Sequence, residues 1–333
     1  MLCSKKLILI IIIIILLLLF AVVIPGSTAK IHNAALQGNL DRIKELLAKD
    51  SGLANARNQN GRTPLHCAAY SGHSDVALLL IAKKAEINAR GNVIGWTPLS
   101  MASMRGHRDI AELLITEGAE VDTKDRNGRT PLHIASKRGH KDVAELLIAM
   151  GAEKNARDNN GMTPLYLASY GGYKNVVLLL IDKGADVKLE DNAGQTALHW
   201  ASWDGHKKIA ELLIAGGVDI NLKDNDGDTP LHYAAYGGHK KIAMLLIAKG
   251  AKVNVKNDHD RTPLNIAYIV GHKEIVDLLI ANGSESDKGK ENLEDRHIMK
   301  RRIKKERNQA RNSLLSPQKG DEAFFSQTAG LEK

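Results

Sequence analysis

Residues Asp125–Ala156 read DRNGRTPLHIASKRGHKDVAELLIAMGAEKNA, and residues Asp224–Val255 read DNDGDTPLHYAAYGGHKKIAMLLIAKGAKVNV. The two stretches share a frame: an acidic residue, a glycine, Thr-Pro-Leu-His, a Gly-His step, a Leu/Ile run and a second glycine. The Thr-Pro/Ala-Leu triplet recurs at intervals of 34 residues once and 33 residues five times, beginning at Thr63, Thr97, Thr130, Thr163, Thr196, Thr229 and Thr262. A fixed period of this length identifies a repeat architecture.

The residue types of one copy predict two short helices. Thr130 is a favourable N-cap, and Pro131 loses no hydrogen bond at the first helical position. Gly139 can adopt the left-handed conformation that ends the first helix. A second helix, Lys141–Met150, carries its apolar residues at helical spacing. Two helices of this length cannot bury so much Leu and Ile alone, so the copies should stack around one elongated core.

The frame resembles that of the ankyrin-repeat family over roughly residues 30–283. This resemblance implies an all-α repeat solenoid of stacked helix-turn-helix units with short β-hairpin or turn tips. A first copy, Ile31–Arg57, lacks Thr-Pro-Leu-His but retains Gly38, and is interpreted as an N-terminal capping repeat. Asp260 stands where other copies have the turn glycine, so the last copy is expected to be frayed.

The chain accordingly divides into three predicted segments. Residues 1–29 form an N-terminal signal-anchor or signal peptide, residues 30–283 form the repeat domain, and residues 284–333 form a charged tail that is largely disordered or a solvated helix. The eight expected repeats have the approximate bounds 30–57, 58–91, 92–124, 125–157, 158–190, 191–223, 224–256 and 257–283.

Composition and motifs argue against catalysis. The two cysteines are too few for a disulfide framework or a Cys-based zinc site, and Cys67 is interpreted as a core residue. Ten of the 13 histidines belong to the frame: His66, His133, His199 and His232 in Thr-Pro/Ala-Leu-His, and His73, His107, His140, His206, His239 and His272 in Gly-His. The resemblance implies that the first set holds loop backbone. No metalloprotease, P-loop, nucleophile-elbow or dinucleotide motif occurs in the sequence, so we expect a non-enzymatic protein with no cofactor and no metal.

The resemblance also implies a concave binding surface, built from the turn tips and the exposed sides of the first helices. Two frame positions should face it: the residue before each Thr and the residue seven after it. The predicted partner-binding residues at these positions are Arg62, Tyr70, Trp96, Met104, Arg129, Lys137, Met162, Tyr170, Trp203, Asp228 and Tyr236. The groove should be basic in its first half and aromatic from Tyr170 to Tyr236.

Trp, Tyr and Arg dominate interface energetics, so a protein or peptide partner of unknown identity is expected. Packing between repeats is the alternative interpretation of these aromatic residues. Trp200 and Tyr233 occupy a frame position that is predicted to pack between repeats, and they are left out of the site.

An unbroken apolar run of 18 residues, Leu7–Ile24, follows Lys5 and Lys6. As a helix it would be about 27 Å long, close to the hydrocarbon thickness of about 30 Å. We therefore expect a single-pass signal-anchor in a membrane, and the early lysines favour extracytoplasmic repeats. The alternatives are repeats that face the cytoplasm, or a protein secreted or periplasmic after cleavage near Ala29.

Part of the formal net charge of +8 is local to the tail. Residues 296–311 hold eight Lys/Arg and one acid, with the densest run at Lys300, Arg301, Arg302, Lys304 and Lys305. Such a run matches a nuclear-localisation or anionic-surface patch, although a solvated charged tail is favoured. The prediction is thus a monomeric protein-interaction scaffold, membrane-attached or exported, with nucleic acid disfavoured as a partner. The alternative is a soluble cytosolic or nuclear regulator that uses the tail for nuclear targeting or nucleic-acid binding.

Overall fold

The computed structural model describes residues 26–284, which fall into two units, 26–126 and 127–284. Within this range the chain forms helices joined by turns, and the β-hairpins expected at the tips are turns instead. The apolar segment 7–24 and the basic tail residues lie outside it. None of the helices within it is long and apolar enough to cross a membrane.

The first unit stacks its helices in two layers. Its elements are α1 (the helical residues 26–37), α2 (Leu40–Lys49), a 3-10 turn (Ser51–Asn55), α3 (Pro64–Ser71), α4 (Ser74–Ala82), α5 (Pro98–Arg105) and α6 (Arg108–Thr116). The first helices α3 and α5 pack against each other, and the second helices α2, α4 and α6 form the other layer. Leu65, Leu99 and Leu114 are fully buried between these layers, as expected for stacked copies that share a core.

The second unit repeats this arrangement. Its elements are α7 (Pro131–Arg138), α8 (Lys141–Ala149), α9 (Pro164–Tyr170), α10 (Lys174–Asp182), α11 (Ala197–Trp203), α12 (Lys207–Ala215), α13 (Pro230–Gly237), α14 (Lys240–Ala248), α15 (Pro263–Val270) and α16 (Lys273–Ala281). The odd-numbered helices pack side by side in one layer, and the even-numbered helices form the other.

In four copies the first helix begins as the sequence predicts, and a histidine completes the cap. The backbone N–H of Thr130 donates to Nδ1 of His133 at 3.2 Å. Because Nδ1 accepts this bond, the proton of the neutral ring is on Nε2, which donates to the carbonyl of Met162 at 3.1 Å in the next copy. His66 and His232 make the equivalent pair of contacts. His199 accepts the same cap bond from Thr196, but its Nε2 donates to the carbonyl of Leu222 at 3.2 Å. The expected role of this imidazole in holding loop backbone is confirmed.

The Gly-His step brings consecutive copies into close contact. Gly205 has φ +82°, and a Cβ atom there would lie 2.7 Å from the ring of His239 in the next copy. The glycine is required both by its left-handed backbone and by the imidazole that covers it.

The last copy is not frayed, contrary to expectation. Asp260 adopts φ +56° itself, and aspartate is among the residues that tolerate this conformation best after glycine. The helices that follow, α15 and α16, have 8 and 9 residues, the same lengths as α13 and α14.

Candidate functional site

Each turn tip of the second unit is held by the side chain of its own first residue. In the tip 224–228, Asp224 Oδ1 accepts the backbone N–H groups of Asp226 at 3.0 Å and Asp228 at 2.8 Å. Asp158 and Asp191 make the same pair of bonds in their tips. One carboxylate oxygen is thus used within the tip, and Oδ2 is left for a side chain from elsewhere.

The residue before the Thr supplies that side chain in two copies. Trp96 Nε1 donates to Asp125 Oδ2 at 3.0 Å in the first unit. Arg129 Nε donates to Asp158 Oδ2 at 3.2 Å in the second, with the two side chains 6% and 0% exposed. Both donors therefore connect one copy to the tip of the next.

Tyrosines take over this role at Asp191 and Asp224. At Asp224 the residue before the Thr is Gln195, whose Nε2 donates to the Tyr233 hydroxyl at 2.7 Å instead. Met162 has no donor, and Tyr166 donates its hydroxyl to Asp191 Oδ2 at 2.7 Å. Tyr233 likewise donates to Asp224 Oδ2 at 2.6 Å. Burial raises the pKa of both carboxyl groups, while the tyrosine hydrogen bonds act against that rise.

Asp228 belongs to a pair in which the acceptor and the donor have exchanged positions. Here the carboxylate precedes the Thr, and Asn257 holds the first position of the next tip. Asp228 Oδ1 accepts from Asn257 Nδ2 at 2.7 Å, and Oδ2 accepts from the hydroxyl of Tyr236 at 3.3 Å. Neither donor is charged, so burial dominates and raises the pKa of Asp228 to about 7.

We expect the effect of Asp228→Asn on the stability of the second unit to depend on pH. Compared with the unmodified chain, the variant should have a higher free energy of unfolding at pH 8 than it does at pH 4.5. The folded-state pKa of about 7 lies above the ordinary 3.8, so between these values the folded state keeps a proton that the unfolded state releases. The free energy of unfolding therefore falls as pH rises through this window, by at most about 4 kcal/mol. Urea unfolding of variant and unmodified chain at both pH values measures the difference. Asp226→Asn, an exposed neighbour in the same tip, is the control; an effect of Asp228→Asn that is equal at both pH values would contradict the assignment.

Aromatic rings gather beside these tips. We define the aromatic cluster as the buried residues Met162, Tyr166, Leu167, Trp200, Trp203 and Tyr233 together with the half-buried Tyr170 and Tyr236 packed against them. The ring centroids of Trp203 and Tyr236 are 5.5 Å apart, as are those of Trp203 and Tyr233, and those of Tyr170 and Trp200 are 5.2 Å apart. Such spacings give favourable ring–ring contacts. The cluster is a rigid base with two partly exposed tyrosine rings.

In the first unit, the corresponding tyrosine is covered by a cation. The guanidinium of Arg105 lies 4.9 Å from the ring centroid of Tyr70, within the distance of a cation–π interaction. Arg105 comes from the next copy, one residue after the frame position that Tyr70 occupies in its own copy.

The family model described as ankyrin repeats (3 copies) matches residues 15–91, 90–158, 150–224 and 212–291, most of the chain. The chain belongs to the ankyrin-repeat family. Ankyrin repeats are generally protein–protein interaction modules, and the family is typically a non-enzymatic scaffold. A search of the curated proteins finds no match to the chain.

Most of the predicted partner-binding residues are buried in the repeat domain. Seven are buried: Arg62, Trp96, Met104, Arg129, Met162, Trp203 and Asp228. Four are half-buried: Tyr70, Lys137, Tyr170 and Tyr236. Arg62 and Arg129 are buried, so among the predicted basic residues of the groove Lys137 is the one with a partly exposed side chain. Partner binding by these residues stays a prediction.

The expected separation of groove and core aromatic residues is also not found. Trp203, placed in the groove by its frame position, is 6% exposed and packs in one cluster with Trp200 and Tyr233. The interpretation of these rings as packing between ankyrin repeats therefore holds for Trp203, while Tyr170 and Tyr236 remain at the surface.

The tip pairs were missed, although the sequence carries a signal for them. In each pair the two residues are 29 positions apart: Trp96 with Asp125, Arg129 with Asp158, and Asp228 with Asn257. A donor and an acceptor at these two positions, in either order, would have predicted these contacts. The same rule would also pair Gln195 with Asp224, whereas Gln195 donates to Tyr233. The spacing does not predict the bonds of Asp191 and Asp224. Their donors, Tyr166 and Tyr233, do not occupy the position before the Thr.

Among the described residues, no three His, Cys, Asp or Glu side chains are grouped so that they could hold a metal ion. Cys67 is buried, and burial raises the pKa of its thiol to about 12. The thiol is therefore protonated at neutral pH, in keeping with its interpretation as a core residue.

Proposed function

We propose that this ankyrin-repeat protein is a monomeric, non-enzymatic scaffold that binds a protein or peptide partner on one face of its second unit. We define the binding face as the exposed sides of Tyr170 and Tyr236 together with the turn tips 191–195 and 224–228. The observation that carries the proposal is the aromatic cluster, whose two half-buried rings stand on a packed base.

The energetics of interfaces support this choice. Tyrosine supplies apolar area and a polar hydroxyl at a small entropy cost, and it is enriched among residues that dominate binding. The Tyr236 hydroxyl is held by Asp228, and the ring lies against Trp203. A side chain that is already immobilised loses little further entropy when a partner binds.

Membrane attachment is a second part of the proposal, supported by the apolar run Leu7–Ile24. We propose that this segment acts as a signal-anchor, with the repeats on the extracytoplasmic side. A secreted form after cleavage near Ala29 would present the same binding face. Both forms would bring the partner to a defined compartment without any chemistry in the repeats themselves.

A photo-crosslinking amino acid at position 170 or 236 tests the binding face in cells. We expect each to give discrete adducts with a partner, and Tyr170→Ala with Tyr236→Ala to reduce recovery of that partner at least about tenfold. Leu178 and Met244 are exposed apolar residues on second helices, so the same crosslinker at 178 or 244 should give none of these adducts. Leu178→Ala with Met244→Ala is the matched double variant. Identical adducts from both pairs of positions would rule out the face.

A further inference from the structure

We propose that the second-helix layer of the second unit carries a surface that contacts a bilayer containing anionic lipid. We define the lysine surface as Lys174, Lys207, Lys208, Lys240 and Lys241 together with Leu178 and Met244, on the consecutive helices α10, α12 and α14. The binding face lies on first helices and turn tips, so the lysine surface is a different site from that of the proposed function. The inference requires only that the leaflet beside the repeats carries anionic headgroups.

The five lysines occupy helix positions where cations are unfavourable. The first turns of α10, α12 and α14 contain all five and no acid. In contrast, the first turns of α2, α4, α6, α8 and α16 each include an aspartate or a glutamate. Because the N-terminus of a helix carries a positive partial charge, an acid stabilises it and a cation does not. Helix stability therefore does not explain these lysines, whereas an external anion would compensate both sources of positive charge.

Neighbouring carboxylates neutralise part of this charge. Nζ of Lys207 and of Lys208 lie 3.3 Å and 3.0 Å from the carboxylate of Glu211, and Nζ of Lys240 lies 3.9 Å from that of Glu274. All these pairs are exposed, and such pairs contribute little to stability. Since one carboxylate faces two lysines in α12, the surface keeps an excess of positive charge.

Exposed apolar side chains accompany the lysines. Leu178 is 39% exposed and Met244 is 50% exposed. Each lies four residues after the first lysine of its helix, and therefore on the same side of that helix. The other helices of this layer in the second unit have an acid at the same position: Glu145, Glu211 and Asp277. Tyr173, which is also exposed, directly precedes Lys174. The two helices that lack the acid thus combine lysine with an exposed apolar residue.

An anionic bilayer matches both components of this surface. Each lysine close to an anionic membrane strengthens binding about fivefold, and exposed apolar side chains can enter the boundary between headgroups and acyl chains. The helices α10, α12 and α14 pack side by side at the usual separation of about 8–10 Å, so the lysines would reach several headgroups at once. Nucleic acid would use the lysines but would leave Leu178 and Met244 in water.

Lysine acetylation of the full-length chain tests the inference residue by residue. The chain is mixed with vesicles of phosphatidylcholine alone, or of phosphatidylcholine and phosphatidylserine in equal amounts, and mass spectrometry gives the acetylation rate at each lysine. We expect the rates at the five lysines to fall at least about fivefold on the anionic vesicles, to stay unchanged on the neutral ones, and to recover as salt rises. Lys188 and Lys252 are exposed in the loops after α10 and α14, and should react equally with both vesicles.

The contribution of the apolar residues is measured as the anionic lipid concentration that gives half-maximal protection. Leu178→Ala with Met244→Ala should raise this concentration about tenfold. Leu78→Ala is the matched control, because Leu78 is exposed at the same position of α4, where the first turn contains Asp75 instead of lysine. This control should leave the protection unchanged.

The contribution of charge is measured in the same way. Lys174→Gln with Lys241→Gln should raise the half-maximal lipid concentration about 25-fold, at about fivefold for each lysine. Lys188→Gln with Lys252→Gln removes the same charge from the loops and should have a much smaller effect. All four positions are exposed, so circular dichroism should show an unchanged helical signal in both variants.

The inference is overturned by unchanged acetylation on both kinds of vesicle, by equal protection on neutral and anionic vesicles, or by equal protection of Lys188 and Lys252. Protection of the five lysines by an acidic protein, but by neither vesicle, would assign the surface to a protein partner instead. Because each lysine is measured separately, entry of Leu7–Ile24 into the bilayer does not by itself give the expected pattern. The crosslinks from positions 170 and 236 test the proposed function alone, so the two proposals can fail independently.

Discussion

Trp203→Ala is expected to lower the free energy of unfolding of the second unit by about 3–5 kcal/mol. Trp203 is 6% exposed, and its ring contacts those of Trp200, Tyr233 and Tyr236. Truncation removes the buried area of the largest side chain and leaves a cavity that rigid neighbouring rings cannot fill.

The loss should be local, because stability in a repeat protein is a sum of nearest-neighbour terms. Hydrogen exchange in urea should show protection lost first in α11 and in the helices packed on it, α9 and α13. Trp203→Phe keeps an aromatic ring and should cost less than half as much. Met150→Ala, at an exposed position, sets the baseline; a Trp203→Ala effect no larger than this baseline would show that the cluster contributes little to stability.

Acidification from pH 7 to pH 4 is expected to destabilise both units, and the second more steeply. Burial lowers the pKa of His66 to about 3 and those of His133, His199 and His232 to about 4, from the ordinary 6.5. Below pH 6.5 the unfolded state binds protons that the folded state excludes, so the stability present above that pH is lost as pH falls toward these values.

The slope follows from the number of histidines. Each of these four contributes about 1.4 kcal/mol per pH unit, so the three in the second unit give about 4 kcal/mol per unit and the one in the first gives about a third of that. Burial also lowers the pKa of His107 in the first unit and of His239 in the second, which steepens both slopes. Asp228 opposes the trend, since its raised pKa makes the folded state take up a proton over the same window. Urea midpoints measured at several pH values, with hydrogen exchange assigned to each unit, determine both slopes.

Asn265 offers a natural control for this prediction. It stands in place of the histidine in the last copy, and its Oδ1 accepts the Thr262 backbone N–H at 2.9 Å. His133→Asn should therefore keep the helix cap, lose the bond to the Met162 carbonyl, and reduce the slope of the second unit by one proton. An unchanged slope would show that His133 is not one of the groups that set the acid response.

The helices could be predicted because local rules determine them. Thr130, Pro131 and Gly139 specify the limits of α7 through capping and a left-handed residue, and these requirements do not depend on the neighbouring copies. The stacking followed from the amount of apolar surface that one copy cannot bury. The fraying expected at Asp260 was wrong because a conformation that favours glycine is also accessible to aspartate.

The exposure of the site residues could not be predicted in the same way. A frame position that is predicted to face a groove becomes buried when neighbouring copies carry large rings, as at Trp203, which packs against Trp200 and Tyr233. The partners of Trp96 and Arg129 likewise depend on the distance between stacked copies. These contacts are properties of pairs of copies, and a pattern read from one copy at a time does not contain them.

The tip pairs make the order of the copies part of the information that the chain carries. Arg129 meets Asp158, whereas Asp228 meets Asn257, so each junction has its own complementary chemistry. If the copy ending at Asp228 were followed by a tip that begins with aspartate, two carboxylates would face each other in a buried space. The copies are therefore not interchangeable, although each one has the same frame. Duplicating or reordering single copies would destabilise the junctions between them.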